Sequence, residues 1–242
     1  MKKIKGMKYY YIAAAIAFLV VAMAVPAGAG DLNRLLKGDY AYNDFQVCAG
    51  AVSGFDAALN RNPDIPGFIS NTESSSNQGV TSFDGYGGFT YRGKNLSVTH
   101  DPGGSTAPLK SPVSQYDVEC SGTAQVNRDL SMESEYDCKL YPLAGPFYNN
   151  PLYPPGFYME IKGLRQEGQL LGTMDNILIL RTDTEPNVET LNFYNFIYVP
   201  TSGEPVFIPG PVKVGEQICT GSGTWMKIVG KGKGFGLRKR GE

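Results

Sequence analysis

Residues 116–141 constrain the fold most strongly, because apolar and polar side chains alternate on both sides of one turn. The turn falls at Asn127-Arg128-Asp129, and the segments on either side of it follow a period of two. One face carries apolar and small side chains: Tyr116, Val118, Cys120, Gly122, Ala124, Val126, Met132, Ser134, Tyr136, Cys138 and Leu140. The opposite face is polar and charged. This pattern predicts an antiparallel β-hairpin with one buried face and one face in water.

A single register of this hairpin aligns its cysteines, its apolar residues and its opposite charges. When the strands fold about position 129, Cys120 lies opposite Cys138 inside and Glu119 lies opposite Lys139 outside. The two cysteine Cβ atoms are then close enough for a disulfide, so we predict a Cys120–Cys138 bridge. Three acids share the outer face of the second strand: Glu133, Glu135 and Asp137. Their alternation favours a solvated surface over a pair of catalytic carboxylates.

The other two of the four cysteines are Cys48 and Cys219. By elimination they form the second bridge, which would join the first strand to one of the last, as expected for a sheet that closes on itself. No two cysteines have C-x-x-C spacing, which argues against redox catalysis and against a zinc site. An even cysteine count is typical of disulfide-bonded proteins in oxidising compartments.

The N-terminus has the pattern of a secretory signal peptide over residues 1–29. It begins with four lysines: Lys2, Lys3, Lys5 and Lys8. An uncharged apolar run over residues 12–25 follows, and Ala27-Gly28-Ala29 is a small-x-small cleavage site. The alternative is an uncleaved anchor, although the apolar run is shorter than the roughly 20 residues that a spanning helix needs. We therefore expect an exported protein, periplasmic or extracellular, with no membrane span after cleavage.

The rest of the chain predicts one β-barrel domain over residues 30–229, followed by a disordered tail. Gly, Pro and aromatic residues are plentiful and charged residues make up only 19%, a composition typical of many short strands joined by tight turns. Residues 230–242 are Gly-rich and basic, which predicts disorder and leaves open a contact with an acidic envelope surface. Between leader and tail the body is acidic, which argues against a nucleic-acid partner.

The strand pattern predicts an all-β fold of roughly 8–10 strands. We expect a closed or nearly closed antiparallel up-and-down β-barrel, in which one strand follows the next around the ring. Residues 60–79 are rich in Pro, Asn and Ser and predict a long loop, after a short helical turn around residues 55–59. Near the C-terminus, Gly221-Ser222-Gly223 predicts a tight turn between two late strands.

Residue types that perform catalysis are scarce. The chain has one histidine, His100, which is predicted on the surface at a strand end or in a loop. There is no G-x-S-x-G nucleophile motif and no calcium-loop spacing. We therefore expect no enzymatic activity, no cofactor and no metal. The single tryptophan, Trp225, is predicted to be a core residue.

The best candidates for a ligand site lie in an aromatic, Pro-rich segment over residues 141–158, which suits a loop at the mouth of a barrel. The predicted ligand contacts are Tyr148, Tyr153, Phe157 and Tyr158. The alternative is that these aromatic side chains plug the barrel end as core. Small inward residues of the central hairpin favour a cavity: Gly122, Ala124 and Ser134.

Several short motifs carry a resemblance. Gly38-Asp39-Tyr40 opens the first strand, with tyrosine where lipocalins carry tryptophan, and a cysteine near the C-terminus returns to that strand. The layout resembles a lipocalin-like, calycin-type barrel. It is also similar in pattern to an uncharacterised family of secreted bacterial proteins, through segments 40–48, 83–87, 184–190 and 219–224. The resemblance implies a fold more than a function.

These observations predict a secreted or periplasmic binding protein that holds a small apolar or amphipathic ligand in its barrel. One alternative is a structural or surface-interaction protein whose barrel is filled by its own side chains. The other is a carbohydrate-active enzyme, which would need two inward acids a few ångströms apart.

Overall fold

A computed structural model describes residues 29–63, 71–100, 113–173, 176–182, 187–201 and 203–228. The described chain begins with a 3₁₀-helix (Ala29–Leu35) and continues in eleven strands. Their bounds are β1 (Lys37–Ala51), β2 (Thr72–Asp84), β3 (Gly88–His100), β4 (Val113–Val126), β5 (Ser131–Ala144), β6 (Tyr158–Thr173), β7 (Asn176–Thr182), β8 (Val188–Tyr194), β9 (Phe196–Tyr198), β10 (Val206–Ile208) and β11 (Val212–Lys227). No described helix is long and apolar enough to cross a membrane.

The strands close into a ring of hydrogen bonds. Strands β1 to β6 each pair antiparallel with the next strand. Strands β7 and β8 both run antiparallel to β6 and to β11, so together they occupy one strand position. Strand β11 then pairs with β1, while β9 and β10 form a separate two-stranded hairpin. The predicted all-β, antiparallel up-and-down architecture is confirmed, with eight strand positions in the ring.

The predicted central hairpin is β4 and β5. Cys120 pairs with Cys138 and Glu119 with Lys139 in the predicted register, and the inward face is buried as predicted. Both predicted disulfides are present: Cys120–Cys138 within this hairpin, and Cys48–Cys219 between β1 and β11. The two bridges are compatible with an oxidising, exported compartment.

The predicted loop over residues 60–79 is wrong in its second half, because β2 begins at Thr72. The start of β2 is rich in Ser, Asn and Glu because its inward residues, among them Ser75 and Asn77, face a polar part of the interior. The predicted helical turn is an Asx-type turn instead. The Asp56 carboxylate accepts hydrogen bonds from the N–H groups of Ala58 and Asn60 at 2.8 and 2.9 Å.

The predicted tight turn at Gly221-Ser222-Gly223 is also wrong, since these residues lie inside β11. They pair with residues 44–46 of β1. A Cβ atom at Gly223 would lie 2.6 Å from the Cβ of Asp44, and one at Gly221 would lie 3.0 Å from the Cγ of Gln46. The glycines therefore leave room for the inward polar side chains of β1, rather than marking a reversal of the chain.

One half of the interior is closely packed and apolar. Its buried side chains are Leu36, Tyr40, Phe83, Val126, Met132, Leu170 and Ile179. The 3₁₀-helix is fastened to this half by two hydrogen bonds. The Tyr40 hydroxyl donates to the Leu35 carbonyl at 3.2 Å, and the Val126 N–H donates to Asn33 Oδ1 at 2.9 Å. We call this half the sealed end.

Several predictions fall outside the described residues. These are residues 1–28 of the predicted signal peptide (residues 1–29), the predicted tail over residues 230–242, and residues 184–186 of the motif over residues 184–190.

Candidate functional site

A cavity of about 70 Å³ lies in the half of the barrel away from the sealed end. We call this half the cavity end. Strands β1 to β3 contribute polar side chains to its lining: Gln46, Glu73, Ser75, Asn77 and Asn95. Strands β4 to β6 contribute apolar side chains: Val118, Leu140, Ile161 and Leu164. The cavity is therefore amphipathic, although Gln166 of β6 and Gln217 of β11 add polar side chains and Phe89 of β3 adds an apolar one.

An aromatic layer lies between the cavity and the sealed end. It consists of Tyr42, Tyr91, Tyr136 and Trp225, all of which also line the cavity. The Tyr42 ring stacks on Trp225 with centroids 4.4 Å apart, and Tyr91 meets Tyr42 edge-on at 5.3 Å. The Trp225 Nε1–H donates to Thr81 Oγ1 at 2.9 Å. Trp225 is buried as predicted, and it also forms part of the cavity lining.

Glycines on neighbouring strands make the aromatic layer possible. A Cβ atom at Gly79 would lie 2.8 Å from Cε2 of Tyr91, and one at Gly93 would meet the Tyr91 hydroxyl. A Cβ atom at Gly122 would likewise collide with Tyr136. The small residues of the central hairpin were expected to leave a cavity, but the space beside Gly122 is taken by Cα and Cβ of Tyr136. Ala124 and Ser134 are buried without lining the cavity.

Asp44 is the centre of a buried polar network beside the cavity. Its side chain is 3% exposed, and its Oδ2 accepts hydrogen bonds from the Tyr42 hydroxyl and the Gln46 amide, both at 2.6 Å. Its Oδ1 accepts from the Asn77 N–H at 3.0 Å. Three donors thus converge on one carboxylate and hold the side chains of Tyr42 and Gln46 in place. From β6, the Gln166 amide donates hydrogen bonds to the hydroxyls of Tyr42 and Tyr136.

Two buried polar atoms of the cavity lining have no hydrogen-bond partner in the described structure: the Tyr91 hydroxyl and Asn95 Oδ1. Both side chains are almost fully buried, at 5% and 6% exposure. The Asn95 amide nitrogen donates to Asn77 Oδ1 at 2.9 Å, so the free atom of Asn95 is an acceptor. Burial, with a smaller effect of Asp44, raises the pKa of the Tyr91 hydroxyl well above its usual value, so it stays protonated. Buried polar groups nearly always have a partner, so these two atoms are the groups of the lining that are available to a water molecule or a ligand.

Glu73 supplies the one carboxylate of the described cavity lining. Burial raises the pKa of Glu73, while a hydrogen bond from Ser97 and the nearby His100 partly offset that effect. Burial, with a smaller effect of Glu73, raises the pKa of Tyr116 to about 12. His100 ends β3, as predicted, and its Nε2 lies 2.8 Å from the Ser74 hydroxyl on the outside.

The structure brings together two of the four aromatic residues predicted as ligand contacts. Tyr153 and Phe157 have ring centroids 4.6 Å apart and pack with Phe147 and Phe193 at the end of the barrel formed by β6 and β8. Phe193 was not predicted, since β8 carries no aromatic alternation that marks it. None of this cluster lines the described cavity.

The other two predicted contacts lie elsewhere. Tyr148 is 49% exposed on the loop before β6. Tyr158 stacks on Tyr194 with centroids 4.6 Å apart, and the Tyr194 hydroxyl donates to Glu160 Oε2 at 2.8 Å. Lys139 lies 5.3 Å above the Tyr158 ring. Because Lys139 is on the outer face of the hairpin, this second aromatic group belongs to the outer surface.

The cavity residues of β1 carry a sequence signal that the prediction did not use. Tyr40, Tyr42, Asp44, Gln46 and Cys48 alternate inward, and the change from aromatic to polar along that face marks the depth of the cavity. Asn95 and Tyr91 on β3 follow the same alternation.

Comparison with protein-family models, with curated proteins and with solved structures finds no match for this chain. Among the described residues, no group of three or more His, Cys, Asp or Glu side chains is placed to hold a metal ion.

Proposed function

We propose that this chain is an exported binding protein that holds a small amphipathic ligand inside its barrel. The observation that carries the proposal is the cavity itself, whose lining includes two residues with a buried, unpartnered polar atom, Tyr91 and Asn95, among aromatic and apolar side chains. A polar occupant with an apolar part would satisfy both kinds of lining. A fully apolar ligand would leave the Tyr91 hydroxyl and Asn95 Oδ1 unpaired, at a cost of about 1–3 kcal/mol for each.

The cavity limits the size of the ligand. Its volume of about 70 Å³ is roughly half that of an engineered cavity that accommodates benzene. A ligand of a few non-hydrogen atoms fits this volume, whereas a lipid or a pigment does not. The proposal keeps the binding role that a lipocalin-like resemblance suggests, and assigns it a smaller ligand. Export rests on the predicted signal peptide and is compatible with the two disulfides.

Native mass spectrometry of the oxidised protein, purified from the cells that make it, tests this proposal. We expect an adduct of roughly 100 Da or less that is lost on denaturation. Ser75→Leu would fill the cavity and remove the adduct, because Ser75 is buried and lines it. The matched control is Ser76→Leu, its neighbour on the opposite face of β2, which should keep the adduct. An adduct that survives Ser75→Leu would place the ligand elsewhere.

A second candidate function is surface interaction by a barrel filled with its own side chains and water. The β9–β10 hairpin favours it, because this hairpin and the residue that follows β9 expose large apolar side chains: Tyr198, Val199, Val206 and Phe207. A mass without any adduct, together with self-association that Phe207→Ser abolishes, would support this function over ligand binding.

A further inference from the structure

We infer that the ligand is a small organic cation with N–H donors, a protonated amine of three or four non-hydrogen atoms. This inference rests on the proposed binding function and names the chemistry that the cavity selects. Three independent features of the lining lead to it: its charge, the polarity of its unpaired atoms and its aromatic faces.

The cavity lining is negatively charged once Glu73 is ionised, at a pH above its raised pKa. Among its described residues, Glu73 is an acid, and Lys, Arg and His are absent. A second carboxylate, that of Asp44, lies directly behind Tyr42 and Gln46, to which it is hydrogen-bonded. Electrostatic interactions are strong in a buried site because the effective dielectric constant there is low. The negative potential therefore favours a cation over a neutral molecule or an anion.

The unpaired atoms require a donor. Asn95 Oδ1 is an amide oxygen and can only accept a hydrogen bond, and the bond from the Asn95 amide nitrogen to Asn77 Oδ1 fixes this orientation of the side chain. The Tyr91 hydroxyl can accept as well as donate. An ammonium group carries three donors and no acceptor, so it can serve Asn95, Tyr91 and a carboxylate at once. A quaternary ammonium carries the same charge without donors and leaves Asn95 unsatisfied.

The aromatic layer suits the same ligand class. Five aromatic rings line the cavity: the four of the aromatic layer and that of Phe89. Cations bind favourably over such rings, most strongly over tryptophan, and desolvation strengthens the interaction. Water molecules could occupy the polar side of the cavity but would gain nothing from the aromatic and apolar lining. An alkylammonium ion matches both sides, with its charged group toward β1–β3 and its alkyl part toward β4–β6.

Ethylammonium is the probe that fits the volume, and ethanol is its neutral counterpart of the same shape. Trp225 is the only tryptophan and lines the cavity, so its fluorescence reports occupancy directly. At constant ionic strength we expect ethylammonium to bind with a Kd of about 1 mM, near the limit for three non-hydrogen atoms. Ethanol and tetramethylammonium should bind at least about tenfold more weakly, since each lacks either the charge or the donors.

Two variants separate the contribution of the charge from that of the hydrogen bond. Glu73→Gln should weaken ethylammonium binding about tenfold and leave ethanol binding unchanged, because it removes only the charge. Tyr91→Phe should weaken it about fivefold, because it removes one hydrogen-bond partner. The matched controls are Glu204→Gln and Tyr86→Phe, both at exposed positions, which should bind as the parent does. Circular dichroism confirms that each variant is folded.

The outcomes distinguish this inference from the proposed function. Equal or tighter binding of ethanol, or a neutral or anionic adduct in native mass spectrometry, overturns the cation while leaving a ligand-binding barrel. The cation inference is also overturned if neither Glu73→Gln nor Tyr91→Phe changes the affinity for ethylammonium, because binding would then lie outside the cavity. A protein with neither an adduct nor any response to the three probes contradicts the proposed function itself.

Discussion

The sealed end and the cavity end are built by the same strands, yet they are stabilised differently. At the sealed end, Tyr40, Met132 and Ile179 are at most 1% exposed and pack without a described cavity. At the cavity end, the same inward faces carry Asp44, Gln46 and Ser75. Both disulfides lie at the cavity end, where buried polar side chains stand beside apolar ones. The comparison indicates that covalent links supplement hydrophobic contacts where the interior is partly polar.

The largest effect should come from the disulfide that joins β1 to β11. Cys48 and Cys219 are 171 residues apart, whereas Cys120 and Cys138 are 18 apart. A bridge that closes a longer loop restricts the unfolded chain more strongly. We expect the Cys48→Ala/Cys219→Ala variant to lose about 5 kcal/mol in urea unfolding, and Cys120→Ala/Cys138→Ala about 3 kcal/mol. An equal loss in both would mean that native contacts, and not loop closure, set these values.

Truncation of one side chain at each end tests the packing difference. Met132→Ala at the sealed end should cost about 3–4 kcal/mol, because a fully buried side chain leaves a new cavity. Leu140→Ala should cost about 2 kcal/mol, since Leu140 already borders the cavity and has fewer contacts to lose. Urea unfolding of both variants provides the comparison. A larger loss for Leu140→Ala would show that the cavity end is as well packed as the sealed end.

The attachment of the 3₁₀-helix should contribute less. Asn33→Ala removes the acceptor of the Val126 N–H and should cost about 1–2 kcal/mol. Asn127→Ala is a suitable control, because Asn127 lies in the β4–β5 turn on the same end and its side chain bonds only to Ser131 and the exposed Glu133. Thermal unfolding measures both. If the control loses as much, the turn and not the helix stabilises the sealed end.

The smallest effect should be the pH dependence that Glu73 introduces at the cavity end. Burial raises the pKa of Glu73 above its usual value of 4.5, so the folded protein holds this proton where the unfolded chain has lost it. The contribution to stability is complete below pH 4.5 and decreases as the pH rises through the folded-state pKa.

The Tm of the Glu73→Gln variant should therefore rise relative to that of the parent protein as the pH is raised from 4.5 to 8. The control Glu204→Gln should follow the parent across the same range. A constant difference between Glu73→Gln and the parent would contradict a raised pKa.

The sequence predicts the hairpin of β4 and β5 residue by residue, because charge pairs, apolar pairs and cysteines all agree on one register. It fails at the start of β2, where the inward face is polar and the composition is that of a loop. Hydrophobic alternation can reveal a strand only where the interior is apolar. Where the interior of a barrel is polar, the strand segments that line it cannot be recognised from hydrophobic alternation.

The candidate site shows the same limit. The aromatic segment over residues 141–158 has a composition typical of a binding loop, yet the cavity is lined by residues spread over most of the ring. Alternation along β1 and β3 marks Gln46 and Asn95 as inward residues, but only the register shows that they lie across one space. The unpaired atoms of Tyr91 and Asn95 become visible only when every neighbouring donor and acceptor is known.

The even number of strand positions has a consequence for the path of the chain. The start of β1 and the end of β11 meet at the sealed end, where the Ile228 N–H donates to the Asp39 carbonyl at 2.8 Å. A short linker between them would join neighbouring points, and new termini could open at the exposed turn of residues 127–130. Such a circular permutant would keep every strand pairing and the cavity, so the order in which the strands are made is separable from the ring they form.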